Sequence, residues 1–126
     1  MKSARNAVLC CLLALCPFAI YGCGKKADES KPLGEVKAEA EKMDKDGLRT
    51  MAMAYKDAIA AKQGEVEKLA AKLKDIPITE MLGKEAQGLK ADIDNLNKSI
   101  SALKERFEVY YQKLKAEGGD LSGLQV

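Results

Sequence analysis

Apolar residues in the second half of the chain repeat in alternating steps of four and three residues. Such a heptad repeat is typical of a helix that packs along one seam against another helix. The seam consists of Leu82, Ala86, Leu89, Ile93, Leu96, Ile100, Leu103, Phe107, Tyr110 and Leu114. Thr79 is a candidate N-cap before this repeat, and Gly118-Gly119 is a stop signal after it. The pattern therefore predicts one long helix between these two points.

A weaker seam with the same spacing precedes it, made of Leu48, Ala52, Tyr55, Ile59, Lys62, Val66, Leu69, Leu73 and Ile76. Lys62 is its charged member, and we expect the ammonium group to reach water or Asp92. Pro77 ends the repeat, because it lacks an N–H and biases the preceding residue away from helix. Helices joined by a short loop pack antiparallel, and folding about Pro77 pairs positions whose numbers sum to about 155. This register places Tyr55 opposite Ile100.

A further short helical pattern lies upstream, at Val36, Ala40 and Met43. The stretch 44–47 interrupts it, and Gly47 disfavours helix by about 1 kcal/mol relative to Ala. The interruption is either a kink or a true break. If it is only a kink, the first long helix runs from residue 35 to residue 75.

One flank of the first long helix carries a second stripe of small and apolar residues, at Met51, Ala54, Ala58 and Ala61. A bare two-helix hairpin has little core to offset the entropy of ordering. We therefore expect either that the upstream segment folds back as a third helix or that hairpins associate into an oligomeric bundle. The stripe, together with Tyr111 beside the second seam, supplies the candidate contact residues for a protein partner or for self-association.

The predicted fold is all-α, an antiparallel helical hairpin with coiled-coil packing. The expected divisions are an export segment (1–22), a flexible tether (23–34), the hairpin (35–117, turning near 75–79) and a C-terminal tail (118–126). The tether is charged, contains Pro and Gly, and shows no apolar periodicity.

The N-terminus has the pattern of an export signal. Lys2 and Arg5 precede an apolar run from Ala7 to Ile20, which is short for a membrane span and of the length of a signal-peptide apolar region. The run leads into Ile20-Tyr21-Gly22-Cys23, which resembles the lipobox of bacterial lipoproteins. That resemblance implies cleavage after Gly22 and attachment of a diacylglyceryl group to Cys23. Gly24, by the same resemblance, favours the outer membrane, facing the periplasm, over retention at the inner membrane.

Cysteine placement agrees with this interpretation. The other three cysteines lie inside the apolar run, so cleavage would leave Cys23 as the sole thiol and no intramolecular disulfide could form. An ordinary cleaved signal and a short uncleaved anchor are the two alternatives that the residues leave open. Acyl chains on one residue anchor a protein to a membrane through their buried CH₂ groups, each of which contributes about 0.8 kcal/mol to the binding free energy.

Composition narrows the possible functions. The chain has 21 basic and 19 acidic residues, and Lys2 and Arg5 account for the excess. A balanced body gives no electrostatic reason to bind nucleic acid. His is absent, and the acidic pairs of the helices point to different sides or into solvent, so acid–base catalysis, a metal site and a cofactor are not expected. The Asp44–Gly47 stretch lacks two essential ligands of a calcium loop.

We therefore expect no enzyme. The sequence favours a membrane-anchored coiled-coil lipoprotein of the bacterial cell envelope, acting as a structural spacer, adaptor or assembly subunit. The alternative is a helical inhibitor or accessory factor that binds a partner enzyme or toxin.

Overall fold

The structure is a computed structural model that describes residues 26–126. Its helices are α1 (Leu33–Ala40), α2 (Lys45–Asp75) and α3 (Lys84–Ala116), with a 3-10 turn at Ile78–Glu80. The two long helices pack against each other over their length, and α1 packs on α3. The described part of the chain is thus all-α, and the predicted helical hairpin is confirmed.

A true break, not a kink, separates α1 from α2. Asp44 is extended and its carboxylate accepts a hydrogen bond from the Gly47 N–H at 2.8 Å, which makes Asp44 the N-cap of α2. A capping aspartate satisfies one of the free N–H groups of a helix start, and its charge is favourable at that end of the helix dipole. The Asp44–Gly47 stretch, whose composition suggested a calcium-binding loop, therefore forms the N-terminal cap of α2.

The start of α3 differs from the prediction. Thr79 lies in the 3-10 turn, and α3 begins at Lys84 with the extended Gly83 as its N-cap. The Gly83 N–H donates to the Glu80 carbonyl at 2.8 Å, and a Cβ on residue 83 would lie 2.9 Å from that oxygen. Glycine at this point lets the backbone close the turn tightly, which leaves Leu82 outside the helix.

The register of the two long helices also differs from the prediction. The ring of Tyr55 stacks on that of Tyr110, with centroids 5.6 Å apart, and Leu69 lines the same groove as Leu96. Tyr55 therefore lies opposite Tyr110 and not Ile100, a displacement of about three helical turns. The connection at 76–83 is longer than the tight turn that was expected at Pro77. Because both seams repeat with the same spacing, seam still faces seam after the displacement.

The buried core is concentrated at one end of the hairpin. It comprises Val36, Ala40, Leu48, Met51, Ala52, Tyr55, Ile59, Ile100, Leu103, Phe107, Tyr110, Leu114 and Leu124. We call this end the base; it includes α1 and both flanking segments of the chain. Residues 62–98 form the arm, in which two helices and their turn extend from the base with half-buried seam residues. The buried Val36 and Ala40 show that the upstream segment does fold back as a third helix.

Candidate functional site

The predicted lipid-attachment residue Cys23 and the export segment 1–22 lie outside the described residues. The closest described part of the chain is the segment 26–32, which we call the strap. It leads from residue 26 into α1 and lies on the hairpin.

The strap is held first by Tyr55. The Tyr55 hydroxyl accepts a hydrogen bond from the Asp28 N–H at 3.3 Å and donates one to the Asp28 carbonyl at 3.1 Å. Tyr55 itself is fully buried, and Ala27 packs against the same core. Two bonds to one backbone unit fix both the position and the orientation of the strap at this point.

A second set of polar contacts follows. Glu29 accepts a hydrogen bond from Ser99 at 3.1 Å, and its other oxygen lies 3.4 Å from the Lys62 ammonium. The buried Arg106 donates from Nε to the Lys31 carbonyl at 2.9 Å. These contacts place the strap, which is part of the predicted flexible tether (23–34), against the hairpin. Lys62 pairs with Glu29 rather than with Asp92, because the strap fills the groove at its side.

The tail (118–126) packs on the opposite side of the hairpin. Arg49 donates to the carbonyls of Asp120 and Ser122 at 2.6 and 3.0 Å, and its guanidinium lies 2.9 Å from the Asp120 carboxylate. Lys56 bonds the Gly123 carbonyl, and Leu124 is completely buried in the base. The tail is therefore part of the core of the base.

Heptad spacing explains how both grooves are occupied. The strap contacts residues seven apart on each helix, 55 and 62 on α2 and 99 and 106 on α3. The tail contacts 49 and 56 on α2 and lines a cavity with 104 and 111 on α3. Residues seven apart share a helix face; the strap set, which includes the seam residues Tyr55 and Lys62, lies toward one edge of the seam, and the tail set lies toward the other edge. The two segments therefore cover the two grooves of the base.

The predicted interface residues of α2 do not form one free surface. Met51 is 5% exposed and belongs to the core of the base, so it is not available to a partner. Ala54 and Ala58 are half-buried, and only Ala61 is exposed. The reason is that the third helix and the strap complete a core that two helices alone could not form, and this core takes up part of the stripe.

Tyr111 is likewise engaged within the protein. It is half-buried, stacks on Phe107 with ring centroids 5.6 Å apart, and lines a cavity beside Leu124 of the tail. Its ring therefore helps to seat the tail, and this leaves little of it for a partner.

Exposed apolar residues lie instead at the turn of the arm. Ile78 is 92% exposed and Leu82 is 86% exposed. Behind them the larger seam residues of the arm are only half-buried, and the small Ala86 is its one fully buried member; the half-buried residues are Val66, Leu69, Leu73, Ile76, Leu89, Ile93 and Leu96. The heptad pattern did not predict this exposure, because it placed Leu82 within the helical seam. The glycine at position 83, immediately after that residue, was the available signal.

A shallow groove between α1 and α3 is the other apolar surface feature. Its volume is about 620 Å³, and Leu33, Ala40 and Val109 are among its lining residues. At one edge, Glu41 lies 2.6 Å from Lys113 and holds the pKa of that ammonium above its usual range. The groove thus combines apolar contact area with an ion pair at its edge.

The titratable group with the largest pKa shift, the phenol of Tyr110, lies in the packed base and joins two helices. Burial raises the pKa of the Tyr110 phenol, with smaller contributions from Tyr55 and Glu39. The phenol donates to the Glu39 carboxylate, so this proton links α3 to α1. Within residues 26–126 no group of His, Cys, Asp or Glu side chains has the arrangement of a metal site. None of the helices in that range is long and apolar enough to span a membrane.

Comparison with known proteins gives no relative from which a function can be transferred. No protein-family model, curated protein or solved structure matches the chain.

Proposed function

We propose that the protein is a lipid-anchored adaptor or assembly subunit of the bacterial cell envelope. The base supports the anchor at Cys23, and the arm presents an apolar turn to another protein. By its resemblance to lipoprotein signals the chain is exported, and Gly24 favours the outer membrane facing the periplasm. The proposal assigns the protein no catalytic activity.

The exposure of Ile78 and Leu82 carries this proposal. Single exposed apolar residues are common on protein surfaces, but these two share one turn and adjoin a half-buried seam. Burial of apolar surface contributes roughly 25 cal/mol per Å², so covering both side chains would favour binding. Ile78 and Leu82 do not belong to the core of the base, so packing within the chain does not explain why apolar residues stand at this turn.

The arm carries seven basic and seven acidic residues, so its net charge is zero and a strongly charged partner gains nothing from it. The expected partner surface is an apolar pocket of a protein or the arm of a second copy. The strap and the tail cover the grooves between α2 and α3 in the base, and the apolar surface that the base leaves open is the shallow groove between α1 and α3.

Anchoring is tested by mass spectrometry of the protein from the membrane fraction. We expect an acylated N-terminal Cys23 and the loss of membrane attachment in Cys23→Ala. A free thiol on a soluble or uncleaved chain would contradict the proposal.

Partner binding is tested by site-specific photocrosslinking in the cell. A photoreactive residue at position 78 or 82 is expected to give a discrete crosslinked product. The matched control is the same residue at position 115, which is exposed at the base end of α3. The mass of the product distinguishes a second copy from a different protein. Equal crosslinking from position 115, or none from the turn, would refute the adaptor function.

A further inference from the structure

Two grooves run along the arm between α2 and α3. One continues the groove that the tail occupies in the base, because Lys104 lines both the cavity beside the tail and the next cavity toward the arm. We call it the tail-side groove; the residues that line it there are Gln63, Val66, Glu67, Asn97, Ile100 and Lys104. The other continues from the strap, because Ser99 bonds Glu29 and also lines this groove. We call it the strap-side groove; its lining residues are Leu69, Asp92, Asn95, Leu96 and Ser99.

The floor of the tail-side groove is apolar. Val66 lines its base end from α2, and Ile100 lines it from α3. Leu73 and Ile93 lie seven residues nearer the turn on the same helix faces. Val66, Leu73 and Ile93 are only half-buried, so the hairpin leaves part of this floor open. Ala70 is also half-buried, and its small side chain lets another helix approach closely.

The charged residues on the rims of the tail-side groove follow the same order on both helices. On α2, Glu67 is followed by Lys74, which lies on the same face and seven residues nearer the turn. On α3, Asp94 and Lys90 are neighbours on one face, and Lys90 is nearer the turn. All four are exposed, and within residues 26–126 none of them forms an ion pair. The groove is therefore neutral in sum, but acidic toward the base and basic toward the turn.

The strap-side groove has a different charge balance. Its charged residues line its cavities or lie seven residues before a lining residue, and they are Glu65, Lys68, Lys72, Asp75, Glu85 and Asp92. Four acidic side chains thus stand against two basic ones. Two copies that met through this groove would bring like charges together, which is unfavourable.

We propose that the arm binds the arm of a second copy, antiparallel and through the tail-side groove, so that the two arms form a four-helix bundle about a two-fold axis. This inference rests on the proposed function, because it names the partner of the arm. In the bundle α2 packs on α2 and α3 on α3 of the other copy. Glu67 of each copy then meets Lys74 of the other, and Asp94 likewise meets Lys90.

The charges exclude the parallel alternative. Positions of α2 and α3 whose numbers sum to about 165 lie at one level of the hairpin, as the stacked Tyr55 and Tyr110 do. A parallel second copy would place α2 on α3 at equal levels. Lys74 would then lie against Lys90, and Glu67 would lie near Asp94. Like charges across an interface are unfavourable, so the antiparallel arrangement is favoured.

The same pairing covers the exposed turn. Because Glu67 meets Lys74, the two-fold axis passes close to Ala70. The turn with Ile78 then lies level with Gln63 of the other copy, where the tail ends and the tail-side groove begins. The second copy therefore continues along the arm the cover that the tail provides in the base.

The size of the contact indicates a reversible dimer. The overlapping part of α2 is about 27 Å long, and two helices side by side are about 20 Å wide. The two copies together would bury about 1,100 Å², which is at the lower end for specific protein contacts. We therefore expect exchange between monomer and dimer.

Disulfide crosslinking of the full chain in its membrane tests the pairing. Acylation blocks the Cys23 thiol and the mature chain has no other cysteine, so an introduced cysteine is the only free thiol. Ala70→Cys places a thiol of each copy beside the two-fold axis. The matched control is Ala71→Cys, which is exposed and points about 100° away on the same helix. We expect a disulfide-linked dimer from position 70 and about tenfold less from position 71, since a disulfide requires Cα atoms within about 7 Å.

Charge reversal in the Ala70→Cys protein tests the direction of the pairing. Lys74→Glu turns two symmetric attractions into repulsions, so we expect about tenfold less dimer. Adding Glu67→Lys should restore the yield, because each pair again joins opposite charges. Lys72→Glu, in the strap-side groove, is the control and should leave the yield unchanged. A higher yield from Lys74→Glu alone would indicate the parallel arrangement, and failure of the double reversal to recover would also overturn the proposal.

The outcomes separate this proposal from the proposed function. A turn that crosslinks only to a different protein, with no dimer from position 70, overturns the pairing and leaves the adaptor function in place. A dimer from the unmodified protein would reveal a free Cys23 thiol and contradict the anchor. No product from either the turn or position 70 overturns both proposals.

Discussion

The base and the arm are built from the same two helices and the same heptad seam, yet they differ in how far that seam is buried. In the base, seam residues such as Leu103 and Leu114 are at most a few per cent exposed. In the arm, their counterparts Leu69 and Leu96 are half-buried. The difference lies in what fills the grooves, because strap, α1 and tail cover the base and nothing in the described chain covers the arm. A two-helix seam alone, therefore, does not make a core.

The largest expected effect comes from matched truncations on α3. We expect Leu103→Ala in the base to lower the free energy of unfolding by about 3 kcal/mol, and Leu96→Ala in the arm by about 1 kcal/mol. The side chains are chemically identical, so burial alone separates them. Urea denaturation followed by circular dichroism measures both. Equal losses would mean that the strap-side groove beside Leu96 is covered in solution, as in a dimer through that face, and dilution of the protein would then reveal it.

The next effect tests the tail. Leu124→Ala removes a fully buried side chain held by a short segment, and we expect a loss of about 2 kcal/mol in the free energy of unfolding. The control Val126→Ala changes a neighbouring side chain that is 56% exposed and should have little effect. Thermal denaturation of both variants provides the comparison. A neutral Leu124→Ala would show that the tail does not contribute to the base.

A smaller effect is expected at the strap. Tyr55→Phe keeps the ring in the core but removes the hydroxyl that bonds both backbone groups of Asp28, at a cost of about 1 kcal/mol. Amide hydrogen exchange at Asp28 should accelerate as well. Tyr111→Phe is the control, since the hydroxyl of Tyr111 makes no hydrogen bond within residues 26–126. Unchanged exchange at Asp28 would mean that packing of Ala27, and not the hydroxyl, holds the strap.

The smallest expected effect is a loss of stability at low pH that arises from the Asp120 carboxyl of the tail. Hydrogen bonds from Ser122 lower the pKa of the Asp120 carboxyl below its usual 3.8, with a contribution from Arg49. A lowered pKa in the folded state contributes stability above the unfolded value, which is lost as the pH falls through the folded pKa. Asp120→Asn should therefore lower the urea midpoint slightly at pH 6, and the difference from the unmodified protein should shrink as the pH falls below about 4 toward the lowered pKa of the folded state. Asp57→Asn, on an exposed part of α2, provides the control, and a constant difference between pH 6 and pH 3 would contradict this origin.

Local patterns predicted the helices well and the long-range polar contacts poorly. The heptad spacing gave the seam of α3 through Leu114, and the stripe at Met51 indicated that the hairpin needed another element. The strap has no periodicity, and its contacts join Asp28 to Tyr55 and Lys31 to Arg106 through backbone groups that any residue carries. The register of the two long helices depends on the number of residues in the turn between them. Pro77 indicated where the turn begins but not that it continues to residue 83.

The covered base also bears on the order in which the molecule folds. Leu69 and Leu96 of the arm are close in sequence, whereas the core of the base joins Val36 to Leu124 across almost the whole described chain. Closing the longer loop costs more entropy, so we expect helix pairing to nucleate at the arm and proceed toward the base. The least stable end of the molecule would then form first, and Leu96→Ala should slow folding while Leu124→Ala mainly speeds unfolding.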